Sequence, residues 1–128
     1  MPEPQDDCSI GDDEKLLRRI RPKDIHLNPI SNQYRPESGC FRSDDFISVH
    51  IASLTSEEKV LLDYPEFSLV EFTAEEMRSI GCKIVRDPLP EDPAHALMYG
   101  TAPGGYVSKS QAKKLSKICR WVVLKRGL

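Results

Sequence analysis

The stretch FISVHIASL, residues 46–54, decides the fold because β-branched residues alternate in it with small or polar ones. A strand turns successive side chains to opposite sides of a sheet. The alternation separates two sets of side chains: Ile47, Val49 and Ile51 on one side, and Phe46, Ser48, His50 and Ala52 on the other. The first set is apolar throughout, so we expect it to face the core.

Four further stretches extend the predicted sheet on either side of this strand. Residues 16–20 (LLRRI) are read as a strand or a helical turn, and residues 67–72, 82–88 and 94–100 as short strands. Alternation in the last stretch separates two further sets: Ala94, Ala96 and Met98 on one side, and His95, Leu97 and Tyr99 on the other. The small residues of the first set favour close packing by a helix.

Three helices are predicted between and after these strands. Two begin at capping boxes, in which a threonine and a glutamate three residues later bind each other's backbone N–H groups: Thr55 with Glu58, and Thr73 with Glu76. The third runs over residues 108–123, where apolar residues recur at helical spacing. The elements together predict a mixed α+β fold, a single compact domain with about four or five short strands and three helices.

Two segments lack a regular period. Residues 1–14 are acidic with few apolar groups, which predicts a flexible tail and leaves residues 15–128 as the single globular domain. Residues 21–45 contain prolines and turn-forming residues, and we read them as a long ordered loop in the N-terminal half. Loops of that length are uncommon in a small domain and often have a functional role.

Composition argues against several classes of protein. No apolar run approaches the roughly 18 residues of a membrane span, and the acidic N-terminus lacks the basic start of a secretory signal. We therefore expect a soluble, cytoplasmic protein without a membrane partner. Cys8, Cys40, Cys82 and Cys119 stand far apart, with no C-x-x-C pair and no histidine at metal-ligand spacing. This pattern favours reduced thiols and gives no reason to expect a metal site or a cofactor.

Charge is divided unevenly along the chain. Up to Asp92, 11 Lys or Arg stand against 20 Asp or Glu, a balance of −9, whereas the remainder has seven basic residues and no acid. On the predicted last helix four basic residues fall on one stripe, opposite the apolar side: Lys109, Lys113, Lys117 and Arg120. Trp121, at the edge of this basic stripe, either covers the edge of the core or anchors a partner.

The basic stripe has several readings. It is either an ordinary solvated face or a docking surface for an acidic protein partner, for the chain's own acidic tail, or for nucleic acid. A pI near 5.9 does not favour a dedicated nucleic-acid binder.

Polar residues in the loop and on two strands form a second candidate site. Arg35 has the planar fork that binds phosphate or carboxylate, although it can equally pair with one of the chain's own acids. A lone strand histidine is more often structural than catalytic. Cys40 would be a nucleophile only with a histidine in reach. The candidate catalytic or ligand-binding residues are Arg35, Ser38, His50 and His95.

Several of these elements resemble a set of small uncharacterised bacterial proteins. The matching elements are RPESGCF (35–41), ISVH (47–50), the run LVEFTAEEMRSIGCKIVRDPLPEDPAHALMYG (69–100) and a final helix ending in tryptophan. The set has an R-P-S-S-x-x-F element and an N-P-A-H-A element, and the resemblance covers about residues 16–123. This chain departs from it at Glu37, where the set has serine, and at Asp92, where it often has asparagine. The resemblance implies no activity, but it implies that one constellation includes Arg35, Pro36, Ser38, Phe41 and His95.

Two functions of different classes fit these observations. The first is a small soluble intracellular interaction or adaptor protein, a component of a bacterial multi-gene system, that docks another protein through the basic C-terminal helix or the Arg35 loop. The alternative is a small enzyme or ligand sensor with a pocket for a nucleotide-type or other anionic ligand. That pocket would join Arg35, Ser38, His50 and His95.

Overall fold

A six-stranded antiparallel sheet organises the protein, whose computed structural model describes residues 5–42 and 46–125. Across the sheet the strands lie in the order β6 (Lys83–Arg86), β7 (His95–Tyr99), β4 (Ile47–Ile51), β1 (Lys15–Ile20), β5 (Ser68–Thr73) and β8 (Arg120–Val123). A separate antiparallel hairpin consists of β2 (Ile25–Asn28) and β3 (Gln33–Pro36). Outside the described residues lie parts of three predicted segments: residues 1–4 of the tail, 43–45 of the loop and 126–128 of the domain.

Three helices accompany the sheet: α1 (Glu57–Val60), α2 (Ala74–Ser79) and α3 (Lys109–Ile118). The predicted box caps α2, because the Thr73 hydroxyl accepts from the N–H of Glu76 at 3.1 Å while the Thr73 N–H donates to the Glu76 carboxylate at 2.8 Å. The cap predicted at Thr55 is wrong by one residue, since the N-cap of α1 is Ser56, whose hydroxyl accepts from the N–H of Lys59. No helix in the described ranges is long and apolar enough to cross a membrane.

The structure confirms a single mixed α+β domain with three helices, but residues 5–42 and 46–125 contain eight strands instead of four or five. Two of the additional strands, β2 and β3, lie inside the predicted loop. The third, β8, lies inside the predicted last helix, which ends at Ile118. The residues that follow include a tryptophan and two valines, types that favour strands, and they pair with the free edge of β5.

The two faces of the sheet are packed differently. Helices α2 and α3 and a 3₁₀ turn, Ser38–Phe41, contribute to the main core on one face. Ile47, Val49 and Ile51 point into this core and are buried, as the alternation predicted. The opposite face has a small apolar cluster around three buried residues, Leu17, Val60 and Leu69. Since β4 and β7 turn polar side chains to that face, it is the half-open side of the sheet.

The described part of the acidic N-terminal segment contacts the domain. Ile10 is 1% exposed within the main core. The guanidinium of Arg78 donates to the carboxylates of Asp6 and Asp12, at 2.9 and 2.6 Å, and to the carbonyl oxygens of Asp7 and Ile10. Arg78 is thus a main contact of the described part of the segment, and flexibility of the tail stays a prediction.

Candidate functional site

Two histidines meet on the half-open face of the sheet. The register of β4 against β7 places His50 directly opposite His95. Their rings pack edge to face, with centroids 5.9 Å apart. Directly opposed residues on antiparallel strands are close enough for their side chains to interact. The other side of β7 is buried at Ala96 and Met98, as is Ala94 just before the strand, while close packing by a helix stays a prediction.

Both ring nitrogens of His95 have partners. Nδ1 lies 3.0 Å from the backbone oxygen of Asp87 and 3.0 Å from its Oδ2, while Nε2 lies 3.1 Å from Oγ of Ser48. A backbone carbonyl can only accept, so the hydrogen-bond network assigns the proton of the neutral imidazole to Nδ1. Nε2 is then an acceptor for the Ser48 hydroxyl. The three residues form a continuous chain, Ser48 to His95 to Asp87.

His50 is more deeply buried and faces a different acid. Its Nδ1 lies 2.8 Å from Oδ2 of Asp92, but the two groups are not aligned for a hydrogen bond. Burial lowers the pKa of His50, and the attraction of Asp92 opposes this only in part. His50 is therefore mainly neutral near pH 7 and places no positive charge beside His95.

Two neighbouring pockets open on this face and share three lining residues: Arg19, His50 and Tyr64. The first, which we name the histidine pocket, has a volume of about 350 Å³ and also contains His95. The second, the arginine pocket, has a volume of about 320 Å³ and also contains Ser48. Both reach the size of small-molecule sites, about 300–1,000 Å³. We call the two pockets together the cleft, and the Ser48–His95 hydrogen bond spans their junction.

The arginine pocket is strongly basic. Its charged lining consists of four arginines and one aspartate: Arg18, Arg19, Arg21, Arg42 and Asp24. Arg18 has a structural role, because its guanidinium donates to the backbone oxygens of Cys40 and Ser48, each at 2.8 Å. Burial lowers the pKa of Arg18, although an arginine remains charged in proteins. Arg42 is exposed; its backbone N–H donates to the carbonyl oxygen of Gly39, and its side chain has no partner among the described residues.

Contacts with neighbouring residues orient the other two arginines of this pocket, Arg19 and Arg21. Arg19 donates to the backbone oxygen of Val60 at 3.1 Å, and its guanidinium lies 4.1 Å from the ring centroid of Tyr64. Arg21 pairs with Asp24 at 2.9 Å. Cation–π contact and a backbone hydrogen bond fix the Arg19 side chain without neutralising it. The pocket therefore keeps an excess of positive charge.

The histidine pocket has the opposite balance. Its charged lining includes three acids against two cations: Asp63, Glu91 and Asp92 against Arg19 and Lys59. Tyr64 and Leu89 also line it and are exposed, so it offers apolar surface as well. An anionic group would therefore be favoured at the arginine end of the cleft, and an apolar group at the other end.

Arg35 caps the C-terminus of α3. Its Nη2 donates to the carbonyl oxygens of Ser116, Lys117 and Cys119, at 2.6, 2.9 and 2.7 Å, and Nε adds a second bond to Ser116 at 3.1 Å. The last carbonyls of a helix lack partners within the helix, and a cation there also interacts favourably with the helix dipole. The guanidinium thus donates to backbone carbonyls and pairs with no acidic side chain among the described residues, while a role for Arg35 in anion binding stays a prediction.

Ser38 lies beside Arg35 and away from the histidines. Both residues line a groove next to α3, of about 440 Å³, which also includes Lys113 and Lys117. The cleft and this groove are separate pockets. The structure therefore brings His50 together with His95, and Arg35 together with Ser38, but the four residues do not line one pocket among the described residues.

The basic stripe is shorter than the sequence indicated. Its three lysines are exposed on α3, with a neighbour on the same helix: Lys109, Lys113, Lys117 and Lys114. Arg120 is not on the helix but on β8, where it makes two hydrogen bonds to the Glu76 carboxylate, at 3.0 and 2.8 Å. Trp121, also on β8, packs against the main core and donates to the backbone oxygen of Tyr34 at 2.8 Å.

The thiols are poor candidates for chemistry. Burial raises the pKa of Cys40 to about 12 and the pKa values of Cys82 and Cys119 to about 11. A thiol that stays protonated at neutral pH is a weak nucleophile. In the described part of the chain no group of three or more His, Cys, Asp or Glu residues is arranged to hold a metal ion.

Sequence reasoning missed Ser48, Asp87 and the arginines of the cleft. A signal for Ser48 was present, because the alternation of residues 46–54 already placed it on the same side as His50. The RRIR run at residues 18–21 was also visible, but its meaning depended on which face of the sheet it joined.

The fold and the site define an α+β protein with a bipolar cleft on the half-open face of its sheet. Comparison of the chain with known protein families, with curated proteins and with solved structures finds no significant match.

Proposed function

We propose that the protein binds a small organic anion in the cleft, with the anionic group in the arginine pocket. The observation that carries this proposal is the lining of that pocket, four arginines against a single aspartate. A guanidinium presents five N–H donors in a planar fork that suits carboxylate and phosphate. The Arg19 guanidinium donates to one backbone oxygen and the Arg42 side chain has no partner within residues 5–42 and 46–125, so both have donors to offer a ligand.

The other end of the cleft indicates the rest of the ligand. Tyr64 and Leu89 are exposed large hydrophobic residues in the wall of the histidine pocket. Small-molecule sites combine apolar lining with a few well-placed polar groups. The ligand class is therefore a molecule with a carboxylate or phosphate at one end and an apolar or aromatic portion at the other.

Titration with phenyl phosphate, followed by NMR, tests this proposal. We expect saturable shifts of the His50 and His95 ring signals, and no saturable shift with phenol, which lacks the charge. Arg42→Gln should weaken binding about 10- to 100-fold, since a hydrogen bond to a charged group contributes about 1.5–3 kcal/mol. Lys109→Gln removes an exposed charge from α3 and is the matched control. Equal weakening by both variants, or shifts without saturation, would contradict the proposal.

A second candidate function is docking of an acidic protein partner on α3. It retains the interaction or adaptor role within a bacterial multi-gene system and rests on a separate observation. Four α3 lysines, Lys109, Lys113, Lys114 and Lys117, are exposed and make no ion pair within the described residues. The acidic N-terminal segment does not neutralise them, since its described part contacts Arg78 and Arg86 instead.

The test of this candidate is capture of the products of neighbouring genes by the purified protein. The double variant Lys113→Glu, Lys117→Glu should lose a captured partner, with the larger loss at low salt, where charges are screened least. Lys23→Glu changes an exposed lysine away from α3 and serves as control. A complex that survives the double variant unchanged would remove α3 from consideration.

A further inference from the structure

We propose that Ser48 is a nucleophile activated by His95 and Asp87, and that the protein hydrolyses a carboxylic ester whose acyl part carries the anionic group held in the arginine pocket. This inference rests on the proposed function, because the same pocket would position the substrate. It adds a reaction, its nucleophile and the substrate class.

Three adjacent strands supply the three side chains. Ser48 lies on β4, His95 on β7, and Asp87 directly follows β6. Oγ of Ser48 lies 3.1 Å from Nε2 of His95, and Nδ1 of His95 lies 3.0 Å from Oδ2 of Asp87. A hydroxyl hydrogen-bonded to an imidazole whose other nitrogen is oriented by a carboxylate is the arrangement that activates serine in acyl transfer.

The orientation of His95 is fixed from two directions. The backbone N–H of Asp87 donates to the backbone oxygen of His95 at 3.0 Å, and Nδ1 of His95 in turn lies 3.0 Å from the backbone oxygen of Asp87. This exchange requires the tautomer with its proton on Nδ1, whatever the charge of the Asp87 carboxylate. Nε2 is therefore held as a proton acceptor facing the Ser48 hydroxyl.

Two further observations separate this arrangement from a histidine that is only packed. First, Ser48 is a lining residue of the arginine pocket, so the residue that bears the hydroxyl borders the space where an anion would bind. Second, burial lowers the pKa of the neighbouring His50, so the ring that packs against His95, with centroids 5.9 Å apart, is mainly uncharged. A structural histidine needs neither a ligand pocket beside its hydroxyl partner nor an uncharged neighbour.

The reaction is a two-step acyl transfer to water. Oγ of Ser48 attacks the ester carbonyl, and its proton passes to Nε2 of His95. The tetrahedral intermediate expels the alcohol, which takes the proton from His95, and the acyl group stays on Ser48. Water then attacks the acyl ester, His95 takes its proton and returns it to Oγ, and the acid is released. Arg19, which lines both pockets, is the cation available to the developing oxyanion.

The cleft also orients the substrate. With the anionic group in the arginine pocket and the carbonyl at Ser48, the alcohol portion lies toward the histidine pocket, whose wall includes Tyr64 and Leu89. The substrate class is a monoester of a small dicarboxylic acid with an apolar or aromatic alcohol. Mono(4-nitrophenyl) glutarate has this form, and 4-nitrophenyl valerate is its neutral counterpart.

The experiment measures hydrolysis of these two esters by the full chain, together with labelling by a fluorophosphonate probe and mass mapping of the labelled peptide. We expect one adduct, on Ser48, and faster hydrolysis of the glutarate ester. Ser48→Ala should remove the adduct and lower kcat/KM at least about 100-fold. Ser110→Ala, at an exposed serine of α3, should change neither measurement.

Asp87→Asn tests the positioning role separately. It keeps the backbone oxygen that also faces Nδ1, so the fold should remain intact, as a circular dichroism spectrum would verify. We expect kcat to fall about tenfold or more and the acidic limb of its pH profile to move to lower pH, because the carboxylate no longer stabilises the imidazolium, whereas KM changes little. A profile that keeps its shape and height would show that the carboxylate does not act on His95.

Labelling of Ser48 no faster than of Ser110, or equal hydrolysis by Ser48→Ala, would overturn the assignment. Phenyl phosphate binding distinguishes this outcome from failure of the proposed function. Wild-type protein that binds phenyl phosphate but neither hydrolyses the glutarate ester nor takes the label on Ser48 refutes catalysis alone, whereas a wild-type protein that does not bind phenyl phosphate refutes the anion site.

Discussion

Replacement of Arg35 by glutamine should destabilise the protein without affecting anion binding. The variant Arg35→Gln leaves the carbonyl oxygens at the end of α3 without their cation. Of the three carbonyls, that of Lys117 is exposed and water can replace the guanidinium there, whereas the bonds to Ser116 and Cys119 are partly buried. Two charge-assisted bonds at about 1.5 kcal/mol each give an expected loss of about 3 kcal/mol in the free energy of unfolding.

The charge and the geometry of Arg35 can be separated with a second variant. Arg35→Lys keeps a cation near the helix C-terminus, which stabilises by about 0.3–1 kcal/mol, but its flexible ammonium has no counterpart of Nε, which adds the second bond to Ser116 and fixes the orientation of the guanidinium. We therefore expect it to lose about 2 kcal/mol, between wild type and glutamine. Urea unfolding followed by the fluorescence of Trp121, the single tryptophan, measures both values. Trp121 is a local reporter, because its ring N–H donates to Tyr34, next to Arg35.

Titration of the Arg35→Gln variant with phenyl phosphate tests whether Arg35 is a helix cap or an anion ligand. If Arg35→Gln keeps the wild-type urea midpoint and instead weakens phenyl phosphate binding, then Arg35 is an anion ligand and its assignment as a helix cap is mistaken. Equal affinity with a lower midpoint is the result that the hydrogen bonds predict.

Two further predictions concern stability. Hydrogen bonds from Arg120 and Thr73 hold the pKa of Glu76 at about 2, below its usual 4.5; the unfolded chain therefore takes up this proton first, and stability should fall as the pH drops below about 4.5 toward 2. In Glu76→Gln the urea midpoint should fall less over this pH range than in the wild type. An equal fall would mean that other groups cause the loss of stability. Gly100→Ala should lower stability by about 1–3 kcal/mol or more, because the added methyl would lie 2.7 Å from the carbonyl oxygen of Tyr106 and closer still to the Cα of Val107. Thermal unfolding measures this, with Gly39→Ala as the control whose methyl meets nothing within 4 Å; equal melting temperatures for the two would contradict the close approach.

Features that depend on near neighbours could be read directly from the sequence. Alternation over residues 46–54 and 94–100 correctly separated the buried side of each strand from the side that bears His50 and His95. The capping box at Thr73 was equally visible, because its partner stands three residues away. In each case the determining contacts or periodicity lie within a few residues, so the sequence alone contains the required information.

The tertiary structure decided the features that depend on distant pairings. Residues 120–123 fit a helical spacing, but the free edge of β5 offered backbone partners and drew them into a strand. Arg35 resembled an anion clamp, yet its donors face the carbonyls of a helix 81 to 84 residues away. The contact between Ser48 and His95 joins residues 47 positions apart and depends on the register of β4 against β7. A shift of one residue in that register would turn one set of side chains to the other face, so no local pattern could place that hydroxyl beside that imidazole.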